Sequence, residues 1–151
     1  TVKNLSITTV EVSNHPVKEM GKRKIDVDGN FYISGEDAQS IKEGEQIRLL
    51  GLGNILITKQ GEEIEGEYVK DGDIKSIPKI QWVSQKTAHK IKMIIPKILF
   101  IGEDFNEDSL EEMDVYCEPH YLQLKDGEEI QFIRFGYCRK DSQNQAIFTH
   151  K

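Results

Sequence analysis

Gln131 and Arg134, three positions apart and set among Phe132, Phe135 and Tyr137, are the residues of this sequence best suited to grip a flat polar ligand. A primary amide donates and accepts hydrogen bonds at once, and a guanidinium offers a planar, permanently charged fork. Neighbouring aromatic rings give faces on which an unpaired base stacks. The stretch that carries them, residues 126–141, opens with an Asp126-Gly127 turn and then alternates with period two, so it reads as one strand. Ile130 and Phe132 fall on one side, and Gln131, Ile133, Phe135 and Tyr137 on the other. The competing reading is an ordinary solvated strand, since an exposed polar side chain needs no ligand to explain it.

Charge is spread unevenly along the chain. The net charge of −6 runs against phosphate binding, which Lys and Arg drive by releasing counterions. Residues 74–101 nevertheless hold six lysines, Lys75, Lys79, Lys86, Lys90, Lys92 and Lys97, and no acid, whereas residues 102–114 hold seven acids and no base. A second basic cluster, Lys18, Lys22, Arg23 and Lys24, follows Asn14-His15-Pro16. Two accounts fit the pattern: a basic face turned to phosphates, or lysines guarding a sheet edge against mispairing.

Other chemistries find no support in the residue types. Cys117 and Cys138 lie 21 positions apart without Cys or His companions at zinc-site spacing, so they are expected as reduced, partly buried thiols with no metal. Gly51 and Gly53 are not followed by the Gly-Lys-Ser or Gly-Lys-Thr of a phosphate loop. Glu118-Pro119-His120 brings an acid and an imidazole together without a nucleophile, and Trp82 sits in an apolar strand where core packing explains it. No apolar run is long enough to span a bilayer. The chain opens at Thr1 without a leader, as a piece cut from a longer protein would.

The elements that must position these residues are mostly strands. Alternation marks residues 5–12, 23–27, 31–33, 46–50, 54–58, 62–69, 74–77, 79–83, 88–95, 98–101, 115–117 and 146–149. Asp28-Gly29-Asn30 is expected to close a hairpin between residues 23–27 and 31–33. Ser34 with Asp37 predicts a capped short helix over residues 35–41, and a second short helix is expected over 106–113. At 151 residues the chain suits one domain or two small units, mainly β and of barrel-like strand spacing.

A series of motifs along the chain resembles the anticodon-binding region of class I glutamyl- and glutaminyl-tRNA synthetases, closest to the glutamyl enzymes of archaeal and eukaryotic type. The series runs through Asn14-His15-Pro16, Met20-Gly21-Lys22-Arg23, Phe31-Tyr32-Ile33 and Gly44-Glu45-Gln46-Ile47-Arg48-Leu49. It continues with Gly53-Asn54-Ile55, Ile80-Gln81-Trp82-Val83, Glu118-Pro119 and Ile130-Gln131-Phe132-Ile133-Arg134-Phe135-Gly136-Tyr137. The resemblance implies two contiguous small β-barrels with short helices, a proximal one of about residues 1–78 plus 117–151 and a distal one of about 79–116. It also implies a non-catalytic role in gripping an anticodon loop. By motif, Arg48 matches an arginine on the first anticodon base, and Gln131 with Arg134 a pair on the central uridine. Lys18, Lys22, Arg23, Lys86, Lys90 and Lys92 are the candidates for the tRNA backbone. The basic contact that the family places ahead of the Gln-Ile-Arg-Leu strand falls at Gln39-Ser40, which is uncharged.

The implied partners are tRNA of the glutamate isoacceptors and an upstream catalytic domain that handles ATP and Mg, in a cytoplasmic protein with no membrane contact and no cofactor of this region's own. The alternative is a β-barrel that descends from the same domain and binds protein. A free-standing enzyme is a third class, and it lacks a recognisable site.

Overall fold

Alternating apolar residues punctuated by glycine turns fold here into short strands. The computed structural model describes residues 1–14, 19–70, 72 and 75–151. Among them strands far outnumber the single short α-helix and one 3-10 turn, which makes the fold mainly β. Contacts group the chain into two consecutive units, Thr1–Ala88 and His89–Lys151.

The first unit contains β1 (Val2–Lys3), β2 (Thr9–Ser13), β3 (Lys22–Asp26), β4 (Phe31–Ile33), α1 (Gly35–Ser40), β5 (Gln46–Leu49), β6 (Gly53–Lys59), β7 (Glu65–Val69), β8 (Lys79–Ile80) and β9 (Trp82–Ser84). Five of them form a ladder in the order β1-β7-β6-β5-β8, and β2–β3 and β4–β9 form separate pairs. Ile47 and Leu49 on β5 and Ile55 and Ile57 on β6 share the inward face by the period-two rule, and they pack with Val10, Ile25, Val27, Ile41, Ile80 and Trp82. Trp82 is a core residue: Phe31 meets its ring edge-on at 5.0 Å, and its Nε1 donates to the Leu50 carbonyl at 2.8 Å. Ser34 caps α1 as expected, accepting from the Asp37 backbone N–H at 3.1 Å while its hydroxyl donates to the Asp37 carboxylate at 2.9 Å.

Two expectations fail in this unit. Asp28-Gly29-Asn30 does not close a hairpin, because β3 pairs with β2 and β4 pairs with β9. The Asp28 carboxylate accepts from the Asn30 N–H at 3.0 Å within the turn, and the Gly29 carbonyl is taken by the Val2 N–H at 2.7 Å. Burial of Phe31 against Trp82 then sends β4 to β9. The strand expected over 74–77 is absent at residues 75–77, and Ile74 lies outside the described residues.

The second unit contains β10 (His89–Pro96), β11 (Phe100–Ile101), β12 (Asp104–Phe105), β13 (Leu110–Cys117), a 3-10 turn (Pro119–Gln123), β14 (Glu129–Phe132), β15 (Gly136–Ser142) and β16 (Gln145–His150). The main ladder has the order β13-β10-β16-β15-β14. Because β10 lies between β13 and β16, residues 110–117 and 129–150 share one ladder with 89–96. Ile91, Met93, Cys117, Tyr121, Cys138 and Ala146 form the core. Burial pushes the Cys117 thiol up to about 12 and the Cys138 thiol to about 11, so both stay protonated and unreactive at neutral pH. Lys140, on the inward face of β15, is 3 % exposed and donates to the Leu124 carbonyl at 2.6 Å beneath the Tyr121 ring.

The helix expected over 106–113 is not formed. The Asn106 side chain accepts from the Asp108 N–H at 3.1 Å, which fixes a tight turn, and β13 then runs antiparallel to β10 with Met93 opposite Met113. Ion pairs between the two strands, Lys90–Asp114 at 2.6 Å and Lys92–Glu112 at 2.7 Å, favour the extended form, and Lys97, just past β10, pairs with Glu111 at 2.8 Å. The single strand expected from 126 to 141 is instead a hairpin, β14 and β15, broken at Ile133–Phe135.

Candidate nucleic-acid interface

The two hairpins that carry the predicted readers share one construction. In β5–β6, Arg48 faces Asn54 and Leu49 faces Gly53 across the strands. The loop between is Leu50-Gly51-Leu52, closed by the Leu52 N–H donating to the Leu49 carbonyl at 3.0 Å. In β14–β15, Gln131 faces Tyr137 and Phe132 faces Gly136, and the Phe135 N–H donates to the Phe132 carbonyl at 3.0 Å. The four-residue turns 49–52 and 132–135 each have the positive φ that a type II turn requires at its third position: Gly51 at 78° and Arg134 at 68°. Each hairpin is closed by a glycine of nearly the same φ, 148° at Gly53 and 149° at Gly136. The reader therefore stands on the strand one residue before the closing pair in both cases.

Arg48 is half-buried and braced. Its Nη1 donates at 2.8 Å to the side-chain oxygen of Asn54, which is itself 2 % exposed. The two line an open cleft of 370 Å³ with Tyr68, Lys70 and Gly72. Asn54 accepts one of the five N–H groups of the fork, and the site supplies a cation together with an aromatic wall.

Gln131 is fully on the exposed face of β14, while its neighbours Ile130 and Phe132 turn inward to the core. The hairpin turn removes Ile133 and Phe135 from the face they were expected to share with Gln131. Phe135 packs edge-on against Phe148 at 5.6 Å, and Ile133 is exposed. Tyr137 does share that face, as the cross-strand partner of Gln131. Arg134 sits at the hairpin tip with an exposed side chain. Gln131 and Arg134 are thus brought to one hairpin of the second unit, and Arg48 belongs to a hairpin of the first.

Most of the predicted phosphate contacts already have partners. Lys22 pairs with Glu11 at 2.8 Å, and this contact holds the Glu11 carboxyl below its ordinary range. Arg23 donates to the Ser13 carbonyl at 2.8 Å. Lys90 and Lys92 face Asp114 and Glu112; the hydrogen bond from Lys90 lowers the Asp114 carboxyl and raises the amine in turn. The end of the basic run, Lys90, Lys92 and Lys97, thus pairs with the end of the acidic run, Asp114, Glu112 and Glu111. Lys90 and Lys92 do not guard an edge either, since β10 is internal to its ladder. Lys86 is exposed in the turn after β9 and forms no ion pair among the described residues. Lys18 lies outside the described residues, as do His15 and Pro16 of the first motif.

Two neighbours of the candidate readers, Asn54 and His150, escaped sequence reasoning. Asn54 was visible within its motif, but its brace on Arg48 follows only from the register of β5 against β6. His150 stacks on Tyr137 from 13 positions away, a separation that carries no local signal. Among the described residues no group of three or more His, Cys, Asp or Glu side chains could hold a metal ion, and no helix is long and apolar enough to cross a membrane.

Amide and guanidinium groups are thus displayed from matching hairpins of a mainly β chain. Residues 1–76 match the family described as tRNA synthetases class I (E and Q), anti-codon binding domain, and residues 79–141 match a second family of the same description. The chain belongs to the anticodon-binding domains of the class I tRNA synthetases for E and Q. It is 71 % identical over 150 residues to a glutamate–tRNA ligase of Nitrosopumilus maritimus, which covers 99 % of this chain and 26 % of the relative. It is 46 % identical over 142 residues to one of Cenarchaeum symbiosum, covering 94 % and 25 %. A bifunctional glutamate/proline–tRNA ligase of Mus musculus is 29 % identical over 160 residues, covering 91 % of this chain and 10 % of the relative. The chain spans about a quarter of the length of the first two relatives.

Proposed function

We propose that this chain is the anticodon-binding part of a glutamate–tRNA ligase and binds tRNA of the glutamate isoacceptors. Arg48 contacts the first anticodon base, and Gln131 with Arg134 the central uridine. The observation that carries the reading is the 71 % identity to a glutamate–tRNA ligase across 99 % of the chain. The shared hairpin construction that displays Arg48 and Gln131 supports it. ATP, Mg and the attachment of glutamate belong to a catalytic domain elsewhere in a cytoplasmic ligase. The relatives named above are all ligases, so nothing among them favours a protein-binding descendant.

Lys22, Arg23, Lys86, Lys90 and Lys92, with Lys18, remain the backbone candidates, at unequal strength. A lysine that already has a carboxylate partner releases fewer counterions on meeting a phosphate than a bare one. Titration of glutamate tRNA across salt concentrations tests the reading. Binding is expected to be weak and steeply salt-dependent, and poorer for a tRNA with a scrambled anticodon loop. Lys86→Ala is expected to reduce the slope of log affinity against log salt by about 0.7–0.9, and Lys90→Ala by less. Salt-independent binding, or equal binding of the scrambled tRNA, would overturn the reading.

A further inference from the structure

The outward face of β14, β15 and β16 carries a row of side chains that the reader assignments leave partly unused. Gln131 faces Tyr137 across β14 and β15, and Tyr137 faces His150 across β15 and β16. The Tyr137 and His150 rings are nearly parallel, at 9°, with centroids 4.6 Å apart. That separation is close to the strand spacing of about 4.8 Å, so the rings stack along the row, one per strand. The pairing of β10 with β16 runs only from Gln145 to Ile147 and stops short of His150. The His150 side chain is 59 % exposed, although its Nδ1 lies 4.0 Å from the Glu129 carboxylate and 3.1 Å from the Thr149 hydroxyl, both at the edge of the ring.

Position within the hairpin adds weight. Asn54, the cross-strand partner of Arg48, holds its reader by a hydrogen bond. Tyr137 occupies the corresponding place opposite Gln131 and presents a ring instead, backed by a second ring. The exposed cation Arg139 lies on the same face, opposite Glu129 in the adjacent row. A two-ring stack with an amide at one end, a largely exposed imidazole at the other and the Arg139–Glu129 pair of charges alongside matches the way unpaired bases are held, by stacking and by edge hydrogen bonds.

We infer that Tyr137 and His150 form a stacking platform for a second unpaired base of the anticodon loop, one that flanks the base contacted by Gln131. The inference rests on the proposed reading of Gln131. His150 is two strands from Gln131, about 10 Å at ordinary strand spacing, too far for one base to meet both the amide and the open imidazole face. The platform therefore takes a neighbouring base and tolerates its identity, since every base has a π face.

The test uses anticodon stem-loop RNA of glutamate tRNA, intact and with an abasic nucleotide at the first or the third anticodon position. The chain is taken as wild type, His150→Ala, His150→Trp and Gln131→Ala. His150→Ala is expected to weaken binding of intact RNA by about 5- to 30-fold, within the range for loss of one base–aromatic stack. One of the two abasic RNAs should lose a similar factor against wild type and little more against His150→Ala, while His150→Trp binds the intact RNA at least as well as wild type. His150 is exposed, so its urea midpoint should not move; the aromatic pair acting only as a sheet support would shift that midpoint and leave RNA affinity alone. Strict additivity of His150→Ala with both abasic changes overturns the platform. If Gln131→Ala still erases the preference at the middle base, the proposed function survives that result. If wild-type affinity ignores the anticodon altogether, the reading and the platform fall together.

Discussion

The hairpin of β5 and β6 and the hairpin of β14 and β15 share a turn, a closing glycine and the place of the candidate reader, yet they differ in what holds that reader. Arg48 is braced by a buried asparagine inside a cleft, so much of its rotamer freedom is lost before any ligand arrives. Gln131 projects from an exposed strand face and must be ordered on binding. The turns differ in the opposite sense. Gly51 adopts positive φ without a Cβ to obstruct it, whereas Arg134 adopts nearly the same φ with one. One hairpin is relaxed in its backbone and fixed at its reader; the other is strained in its backbone and loose at its reader. Strain of this kind clusters at functional sites, which agrees with the proposed role of the Arg134 guanidinium at the hairpin tip.

The largest expected effect tests whether the two hairpins are equally intolerant at their closing glycines. A Cβ added at Gly136 would lie 2.6 Å from the Phe148 ring and 2.7 Å from the His150 backbone carbonyl, and the carbonyl belongs to a paired strand that has little room to give. A Cβ at Gly53 would lie 2.6 Å from the Tyr68 ring, a side chain that can swing aside. With the unfavourable φ added, Gly136→Ala is expected to destabilise its unit by about 3–5 kcal/mol and Gly53→Ala by about 2–3 kcal/mol. Hydrogen exchange at the amides of β15 for the first and of β6 for the second measures the two costs. Equal losses would mean that the hairpins do not differ in how they are closed.

The hairpins also show what was legible in the sequence. Alternation revealed the strands, because a strand with one buried face cannot hide its period; residues 46–50 and 54–58 were read nearly to their ends. The break at residues 133–135 was hidden for a specific reason: its left-handed residue is Arg134, not the Gly or Asn that announces such a turn. The acids of β13 looked helical because the lysines that hold them extended lie about 20 positions upstream. The partner of β4, more than 50 positions away, had no local signature at all. The period separated Gln131 from Ile130 and Phe132, but its exposure depends on the turn at residues 133–135, and the brace on Arg48 and the stack on Tyr137 depend on register between strands, which a single sequence does not display.

A middle-sized effect sharpens the contrast between a braced and an unbraced reader. Gln131→Ala is expected to weaken binding of cognate RNA by about 1–3 kcal/mol and to erase the preference for uridine at the middle anticodon position. Stability should be unchanged, since the side chain faces water in the free protein and removing it strands no buried group. Binding to stem-loops that differ only at that base decides the matter. Wild type and variant ranking the RNAs identically would make Gln131 an ordinary strand residue.

The smallest effect is the most discriminating, because its sign separates folding from function at one residue. A left-handed backbone costs a non-glycine residue about 1–2 kcal/mol, and the freedom that a new glycine gains in the unfolded chain offsets about 0.5–1 kcal/mol of the relief. Exposed contacts of an arginine side chain contribute a few tenths of a kcal/mol more to be lost. Arg134→Gly is therefore expected to stabilise its unit by about 0.5 kcal/mol, seen as a higher urea midpoint at unchanged slope, while weakening RNA binding through loss of the guanidinium. Gly51→Arg in the other hairpin would impose the same strain without a matching role, so it should destabilise and should not improve binding. A stabilised Arg134→Gly variant that bound RNA as tightly as wild type would leave the strain at Arg134 without a function. A destabilised one would show that the tip arginine supports the hairpin, and the contrast drawn between the two turns would then fail.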